Sequence, residues 1–359
     1  MEYINRILIV ILVGLIYILP GYSLHRMIVG TFPHLYKYSL ITLTLGLLTF
    51  PLGNILVRWK LNAFTSFIEL LGGIFLYIYT FAVLYLLIHL ILKFVPNFDV
   101  FKVKLFIGYF VAVGILGIWG YYRATTIRVN TYNLKSEKIS KNIKILMFAD
   151  IHLSQVSRKD IVNKIQKVVD ERKPDLILIA GDIIDTDVSL IRYDYTKDFQ
   201  KIKAPLGVYA SVGNHEYYGD FNKNLEYIRK LGVNVLYEEG KEVGDFYLAG
   251  RSYTFGNRKN IEELLKGNIN SKELIVLDHN PKESDEFIKS KGFLQVSGHT
   301  HNGQFFPFNL ITKRMFKPDW AIRTENGSNI ITTCGVGYWA IPIRFPSYTE
   351  IVEINVSKN

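Results

Sequence analysis

The sequence predicts N-terminal transmembrane helices, about four of them, followed by a soluble α/β domain. The chain has 359 residues, of which 49% are hydrophobic, and a mean hydropathy of +0.16, which is high for a soluble protein. The apolar excess is concentrated in residues 1–130. In the remainder, short apolar runs of strand length alternate with helical patterns and polar clusters, which is typical of an α/β fold.

Four long apolar runs predict the membrane part, and they are Ile7–Leu19, Leu40–Val57, Phe67–Leu92 and Leu105–Trp119. A spanning helix needs about 20 mostly apolar residues. The second and third runs satisfy this, and the fourth does when Tyr121 and Tyr122 lie at the interface. The first run also fits the core of a cleavable signal peptide, but no small-x-small cleavage motif follows it. We therefore expect four spans over residues 1–124 and a linker, or a first edge strand, over 125–141.

The basic charge of the chain belongs mainly to this membrane part. Residues 1–130 carry ten Lys or Arg and three Asp or Glu, whereas the remaining residues carry 32 and 29. Such a distribution suits lipid headgroups and argues against a nucleic-acid-binding domain. With four spans, eight basic residues lie on the side of the termini and five on the other. This predicts a multi-pass cell-membrane protein, and the count favours a cytoplasmic soluble domain.

Polar clusters follow the predicted strands of the soluble part. The strands in question are Ile143–Ala149, Asp175–Ala180, Gly207–Val212, Glu273–Leu277 and Leu294–Ser297. The residues at their ends are Asp150, His152, Asp182, Asn214, His215, His279, His299 and His301. All five histidines of this part of the chain belong to these clusters. Because open α/β sheets bind ligands beyond the carboxyl ends of their strands, we expect these residues to form one site.

The residue types in these clusters predict a metal site. Nitrogen and oxygen donors without a thiolate suit Mn²⁺, Fe or Zn²⁺ and argue against a structural zinc. Seven ligands are too many for one ion and fit two divalent ions that share a carboxylate. Two ions about 3.5–4 Å apart stabilise the attacking and leaving oxygens of a displacement and lower the pKa of a bound water.

The order of the motifs resembles the calcineurin-like metallophosphoesterase superfamily. The matching blocks are Asp-x-His, Gly-Asp, Gly-Asn-His-Glu, His and Gly-His-Thr-His, in this order from Ile143 onwards. The resemblance implies a two-sheet α/β/β/α sandwich over residues 142–359. The C-terminal Gly335–Trp339 and Pro342–Phe345 resemble the membrane-anchored bacterial branch, although that branch usually has Pro-Glu where this chain has Thr349 and Glu350.

The same resemblance implies a role for each site residue. The first metal would be held by Asp150, His152, Asp182 and His301. Asp182 would bridge to the second metal, which Asn214, His279 and His299 would complete. His215 would contact the phosphate and protonate the leaving oxygen, which agrees with the general preference for histidine as an acid near neutral pH.

Two further features each have two alternative interpretations, and a third has one. Arg344 either binds a substrate phosphate bidentately or is a packing or solvent-facing arginine. The segment Phe305–Trp320 mixes aromatics with basic residues, and it is either an interfacial flap or an aromatic core loop. The acidic residues after the Gly-Asp turn, Asp185, Asp187 and Asp194, are predicted to form a solvated loop.

The leading functional hypothesis is a membrane-anchored dinuclear-metal phosphoester hydrolase. Its substrate would be a phosphodiester, phosphomonoester or pyrophosphate, and could be linked to a lipid or a nucleotide. One alternative is a general phosphatase that is merely tethered to the membrane. Another is a membrane sensor or scaffold with a catalytically idle site, although such a protein has no reason to keep the full ligand set. The expected partners are the lipid bilayer and a phosphoester, and no nucleic acid is expected.

Overall fold

The apolar N-terminal runs form long helices in the computed structural model, which describes residues 18–57, 62–253, 258–265 and 271–358. The helices are α1 (residues 18–31), α2 (Tyr36–Val57), α3 (Asn62–Leu92) and α4 (Phe98–Thr125). Within the described ranges, Ser66–Leu92 and Phe98–Thr125 are long and apolar enough to cross a membrane. They correspond to the third and fourth predicted spans. The second predicted span lies in α2, and residues 7–17 of the first lie outside the described ranges.

The chain divides into two compact units, Met1–Trp119 and Gly120–Asn359. The last residues of α4 therefore belong to the second unit, slightly before the predicted boundary at residue 124. The segment predicted as a linker or edge strand, 125–141, contains strand β1 (Ile127–Ser136). It is a strand because all ten of its residues pair in parallel with β12 (Thr349–Lys358) at the edge of a sheet.

Two six-stranded mixed sheets form the second unit. The first sheet has the order β1-β12-β2-β3-β4-β5, with β2 (Ile143–Phe148), β3 (Leu176–Ala180), β4 (Val208–Ser211) and β5 (Asn234–Val235). The second has the order β10-β11-β9-β8-β7-β6. Its strands are β6 (Glu239–Val243), β7 (Phe246–Gly250), β8 (Glu273–Leu277), β9 (Leu294–Ser297), β10 (Ala321–Glu325) and β11 (Ser328–Thr332). Strands β2 to β5 run parallel, as do β7, β8, β9 and β11.

Helices pack on the outer faces of both sheets. The first sheet is covered by α5 (Ile161–Arg172), α6 (Thr196–Phe199) and α7 (Phe221–Lys230), and the second by α8 (Ile261–Leu264) and α9 (Ser284–Lys289). In α5, Ile161, Ile165 and Val169 are buried because their spacing places them on one face. The helix ends where Lys173 adopts a left-handed conformation (φ 48°) before Pro174.

The central core lies between the two sheets and explains where the site forms. Side chains such as Ile145 and Leu178 of the first sheet pack with Leu248 and Val296 of the second. All residues of β3 are buried, as expected for a parallel strand covered on both faces. Strands β2, β3, β4, β8 and β9 all direct their carboxyl ends to one rim of this sandwich, and α10 (Phe308–Met315) follows the last of them.

Candidate metal centre

The loops after five strands bring the predicted site residues together. Three groups of side chains have potential ligand atoms within 4.8 Å of one another. These groups are Asp150, His152 and His301; Asp182, His279 and His299; and His152, Asp185 and His215. The first two groups contain six of the seven predicted metal ligands, and the seventh, Asn214, lies directly before His215 on the loop after β4.

Both carboxylates lie between the two ligand groups. Asp150 Oδ1 is 3.6 Å from His301 Nε2 and 3.9 Å from His279 Nε2. Asp182 Oδ2 is 3.0 Å from His279 Nε2 and 4.0 Å from His152 Nε2. Each carboxylate therefore contacts histidines of both groups, which is the arrangement that two neighbouring ions sharing a carboxylate require.

Two buried polar atoms at this place test whether the residues fit a metal. Among the described residues, Asn214 Oδ1 is buried without a hydrogen-bond partner, and His279 Nε2 is buried with the Asp182 carboxylate 3.0 Å away. The amide nitrogen of Asn214 donates to Tyr218 OH at 2.9 Å, so that its oxygen points away from this bond. A buried acceptor without a donor costs about 1–3 kcal/mol. A divalent cation would satisfy Asn214 Oδ1 and would take His279 Nε2 as a ligand once that ring is neutral, and the mixed nitrogen and oxygen donor set suits such a cation.

Hydrogen bonds orient two of the histidines for this role. His279 Nδ1–H donates to Ala180 O at 2.6 Å, and His152 Nδ1–H donates to Asp185 Oδ1 at 2.9 Å. In both rings Nε2 consequently faces the site, as it does in metal-ligating histidines. His152 Nε2 and His301 Nε2 are 3.0 Å apart. Two ring nitrogens this close suit the binding of one metal ion by both histidines of the first group.

The electrostatics of the site separate neutral from charged histidines. Burial and the neighbouring His279 lower the pKa of His299 to about 3. Burial and Arg344 hold the pKa of His301 well below its usual value. Burial opposes protonation of His279 as well, but Asp182 and Asp150 raise its pKa to about 9. Neutral His299 and His301 are thus ready to coordinate, whereas His279 must release a proton when it binds a metal.

Asp185 belongs to the site, and the prediction that it lies in a solvated loop is wrong. Its Oδ1 accepts from His152 Nδ1 and lies 3.1 Å from His215 Nδ1. His215 Nδ1 also donates to the Asp185 carbonyl oxygen at 2.5 Å. Burial alone would raise the pKa of Asp185, but the hydrogen bonds with these two histidines hold it well below its usual range. The only signal in the sequence is its position three residues after Asp182.

Glu216 is a second functional residue that the sequence reasoning missed, although it belongs to the Gly-Asn-His-Glu block. Its completely buried carboxylate accepts four backbone N–H groups. The donors are Ile183 (2.7 Å), Gly213 (2.8 Å), Ile184 (3.0 Å) and Asp182 (3.1 Å). Glu216 therefore joins the turn that carries Asp182 to the turn that carries Asn214 and His215.

Several ligands occupy strained backbone positions. Left-handed φ angles occur at Asp150 (56°), His152 (52°), Asp182 (52°), His299 (71°) and His301 (50°). Each such position costs about 1–3 kcal/mol for a residue other than glycine. Two neighbouring glycines permit close approach, since a Cβ at Gly213 would lie 2.1 Å from Asp182 Oδ1 and one at Gly298 would lie 2.5 Å from Asp150 Oδ2. Strain of this kind is concentrated at functional sites.

Arg344 lies behind His301 and has no exposed surface. Its Nη2 lies 2.9 Å from His301 Nδ1, on the ring edge opposite the Nε2 atom that faces Asp150. Its other donors bind the carbonyls of Gly337, Cys334 and Tyr348 and the hydroxyl of Ser347. Binding a phosphate would require breaking these bonds, so that the burial agrees with the packing alternative for Arg344.

Comparison with known proteins identifies the family. The profile described as Calcineurin-like phosphoesterase matches residues 143–303, from β2 to the turn after β9. The chain is 34% identical over 258 residues to an uncharacterized metallophosphoesterase of Aquifex aeolicus, which covers 69% of this chain and 98% of that protein. This chain belongs to the calcineurin-like metallophosphoesterases. The resemblance found in the motifs is therefore confirmed.

The other relatives of this metallophosphoesterase include a protein that is named for the membrane. A metallophosphoesterase of Helicobacter pylori is 30% identical over 260 residues, which is 70% of each chain. A Danio rerio protein named transmembrane protein with metallophosphoesterase domain is 27% identical over 267 residues, which is 68% of this chain and 61% of that one. That name and the two apolar helices, Ser66–Leu92 and Phe98–Thr125, indicate membrane association.

Proposed function

We propose that this metallophosphoesterase is a membrane-anchored hydrolase that uses two divalent metal ions to cleave a phosphoester. The observation that carries the proposal is the pair of buried ligand groups that share Asp150 and Asp182 between them. The unpartnered Asn214 Oδ1 supports it, because it is a lone-pair donor in a buried site. An idle scaffold would have no need for this atom.

The chain would hold one ion with Asp150, His152 and His301, and the other with Asp182, Asn214, His279 and His299. Bound there, the ions would lower the pKa of a water towards 7 and stabilise the negative charge that develops on the phosphoester oxygens. Manganese, iron and zinc all suit this donor set. The bridging role belongs to Asp182 in this proposal, since its Oδ2 makes the 3.0 Å contact with His279.

His215 would supply the proton to the leaving oxygen. With Nδ1 bonded to Asp185, its Nε2 is the free ring nitrogen and lies 3.9 Å from Asp182 Oδ2. Burial opposes protonation of His215, but Asp182 and Asp185 raise its pKa well above the usual value. The ring is therefore protonated near neutral pH, as a general acid must be. Asp185 fixes its orientation and holds it beside His152.

The membrane part of the proposal is a multi-pass anchor of four spans in the cell membrane, with the catalytic unit in the cytoplasm. The charge distribution supports it, since residues 1–130 carry ten Lys or Arg against three acidic residues. The two apolar helices that could span a membrane agree with this anchor. The counterpart in Danio rerio is itself named a transmembrane protein.

Hydrolysis by the full chain tests the proposal. The protein is purified in detergent, stripped of metal with a chelator and assayed with a chromogenic phosphomonoester and diester while Mn²⁺ is added back. We expect Mn²⁺-dependent turnover that falls by at least about a hundredfold in Asp182→Asn. The control is Asp170→Asn on the exposed side of α5, which should behave as wild type. If wild type is no faster than Asp182→Asn on either ester, the hydrolase proposal fails and the sensor or scaffold alternative takes its place.

A further inference from the structure

Helix α10 exposes apolar side chains next to the metal site. None of its residues is buried, and Leu310, Ile311 and Met315 are 50%, 49% and 60% exposed. Ile311 and Met315 are one helical turn apart and lie on the same face, with Leu310 beside them. Three large apolar side chains that are exposed side by side indicate an interaction surface, because exposed apolar residues on other soluble surfaces are usually scattered singly.

The same segment is basic. Lys313 and Arg314 in the last turn of α10, and Lys317 just after it, are all exposed. A short helix that combines large apolar residues with Lys and Arg has the composition of an interfacial helix, which lies in the headgroup region of a bilayer. The positive charges are complementary to anionic lipids. This composition selects an anionic bilayer as the occupant of the surface.

Close contacts connect α10 to the ligand histidines. The ring of Phe316, which follows the helix, meets the ring of His299 edge-on at 5.7 Å between centroids. Thr312 donates to the Asp319 carboxylate at 3.2 Å, and the Asp319 carbonyl accepts from Thr300, the residue between the two ligand histidines. Whatever binds to the exposed face of α10 is therefore held beside the metal site.

Other contacts within the second unit connect the segment before α10 with the last turns of α4. The residues that lead into α10 pair with Phe345, through Phe345 N–H to Gln304 O (2.9 Å) and Phe306 N–H to Phe345 O (2.6 Å). The preceding Arg344 donates its N–H to Gly120 O at 3.0 Å. Gly120 directly follows the fourth apolar run in α4. A membrane-spanning helix ends at the bilayer surface, and two backbone segments join α10 to residues 120–125, the last turns of α4.

We propose that α10 is a membrane-contacting element, which inserts Leu310, Ile311 and Met315 among the headgroups of an anionic bilayer. The substrate is then a phosphoester carried by a lipid of the same membrane, which reaches the metal site along the surface. The substrate part of this inference rests on the proposed hydrolase function, whereas the membrane contact of α10 does not.

Fluorescence quenching tests the contact. The full chain is placed in nanodiscs of phosphatidylcholine and phosphatidylglycerol, with Ile311→Cys carrying an environment-sensitive dye and with lipids spin-labelled near the headgroup. Cys334 has no exposed surface. Wild type that is treated with the dye in the same way verifies that Cys334 is not labelled. The control is Lys223→Cys on α7. This helix packs beside β5, which forms one edge of the first sheet, whereas β1 forms the other edge. We expect quenching at position 311 and none at position 223.

The charge and substrate parts need their own measurements. Replacing Lys313, Arg314 and Lys317 by Gln should weaken the quenching at position 311 when phosphatidylglycerol is present. The Leu310→Ser, Ile311→Ser double variant should cleave phosphatidic acid in nanodiscs at least about tenfold more slowly than wild type. Without the membrane contact of α10, the lipid has a lower effective concentration at the metal site. Its rate on a water-soluble phosphomonoester should equal that of wild type, since both side chains are exposed and neither belongs to the candidate metal centre.

Each outcome decides one part of the inference. Equal dye signals at positions 311 and 223 overturn the membrane contact and leave α10 as a surface for a protein partner. If the double variant loses the same fraction of its rate on both esters, the lipid substrate is overturned. The helix α10 would then only stabilise the structure of the metal site. If wild type cleaves neither ester, the proposed hydrolase function fails, while the quenching still decides whether α10 contacts lipid.

Discussion

Replacing Glu216 by Gln tests how the two central ligand-bearing turns are held together. Oε2 of Glu216 accepts the N–H groups of Asp182 and Gly213, and Oε1 accepts those of Ile183 and Ile184. Gln has nearly the same volume, but it replaces one oxygen by an NH₂ group that only donates. Two buried backbone N–H groups would therefore lose their acceptor and face a donor.

The magnitude follows from these two N–H groups. Each buried unsatisfied polar group costs about 1–3 kcal/mol, so that the substitution should destabilise the unit by about 2–6 kcal/mol. A change of 1 kcal/mol shifts the melting temperature by about 2–4 °C in a domain of this size, and a decrease of roughly 10 °C is expected. Affinity for Mn²⁺ should fall as well, because the turn carrying Asp182 loses its attachment.

Thermal unfolding of the full chain in detergent, followed by tryptophan fluorescence, measures the effect. Glu226→Gln on the exposed side of α7 is the matched control, and it should not change the melting temperature. Burial and Asp182 raise the pKa of Glu216, but four N–H donors are all satisfied only by the ionised carboxylate. If Glu216→Gln had the same melting temperature as Glu226→Gln, the Glu216 carboxyl would be protonated in the folded protein. That result would refute this reasoning.

Three further substitutions probe the site. Asp185→Asn removes a negative charge beside His215 and should lower its pKa; because a general acid works when protonated, the alkaline decline of the rate should move to lower pH. Gly213→Ala puts a Cβ 2.1 Å from Asp182 Oδ1 and should weaken Mn²⁺ binding by about 10–100-fold, as measured by titration. Arg344→Lys should also weaken Mn²⁺ binding by about 10–100-fold, with KM for the ester unchanged at saturating metal.

Each of these expectations has a control and a contradicting result. Asp170→Asn is the control for the pH profile. If the alkaline decline of the rate does not move in Asp185→Asn, a group other than His215 sets that decline. Gly114→Ala in α4, where a Cβ meets nothing within 4 Å, serves for the titration. A raised KM with unchanged Mn²⁺ affinity in Arg344→Lys would return Arg344 to its predicted role in binding the phosphate.

Strong apolar runs made most of the sandwich predictable. Strands such as β3 and β8 are buried on both faces, so that their sequences are almost continuously apolar. The sequence does not distinguish β6, because Glu239–Val243 lies at the edge of the second sheet and exposes charged side chains. Edge strands are held by backbone pairing, which leaves little trace in the pattern of side chains.

The site was predictable where residue type and position coincide. Histidines and carboxylates that follow several strand ends together predict a metal site, and His299 and His301 lie beside other predicted ligands in the groups that could hold a metal. Glu216 is different, since its role comes from four N–H groups that only the folded turns bring to it. Arg344 likewise depends on carbonyl groups of its own loop, which no local pattern reveals.

The most direct test of the central claim is a count of metal ions on the full chain. The protein, stripped with a chelator and then dialysed against Mn²⁺, is analysed for metal content together with Asp182→Ala. We expect two ions per chain in wild type and fewer than two in the variant, because Asp182 contacts His279 of one group and His152 of the other. Binding of one ion or none by wild type, or two by Asp182→Ala, would contradict a dinuclear centre built on Asp182.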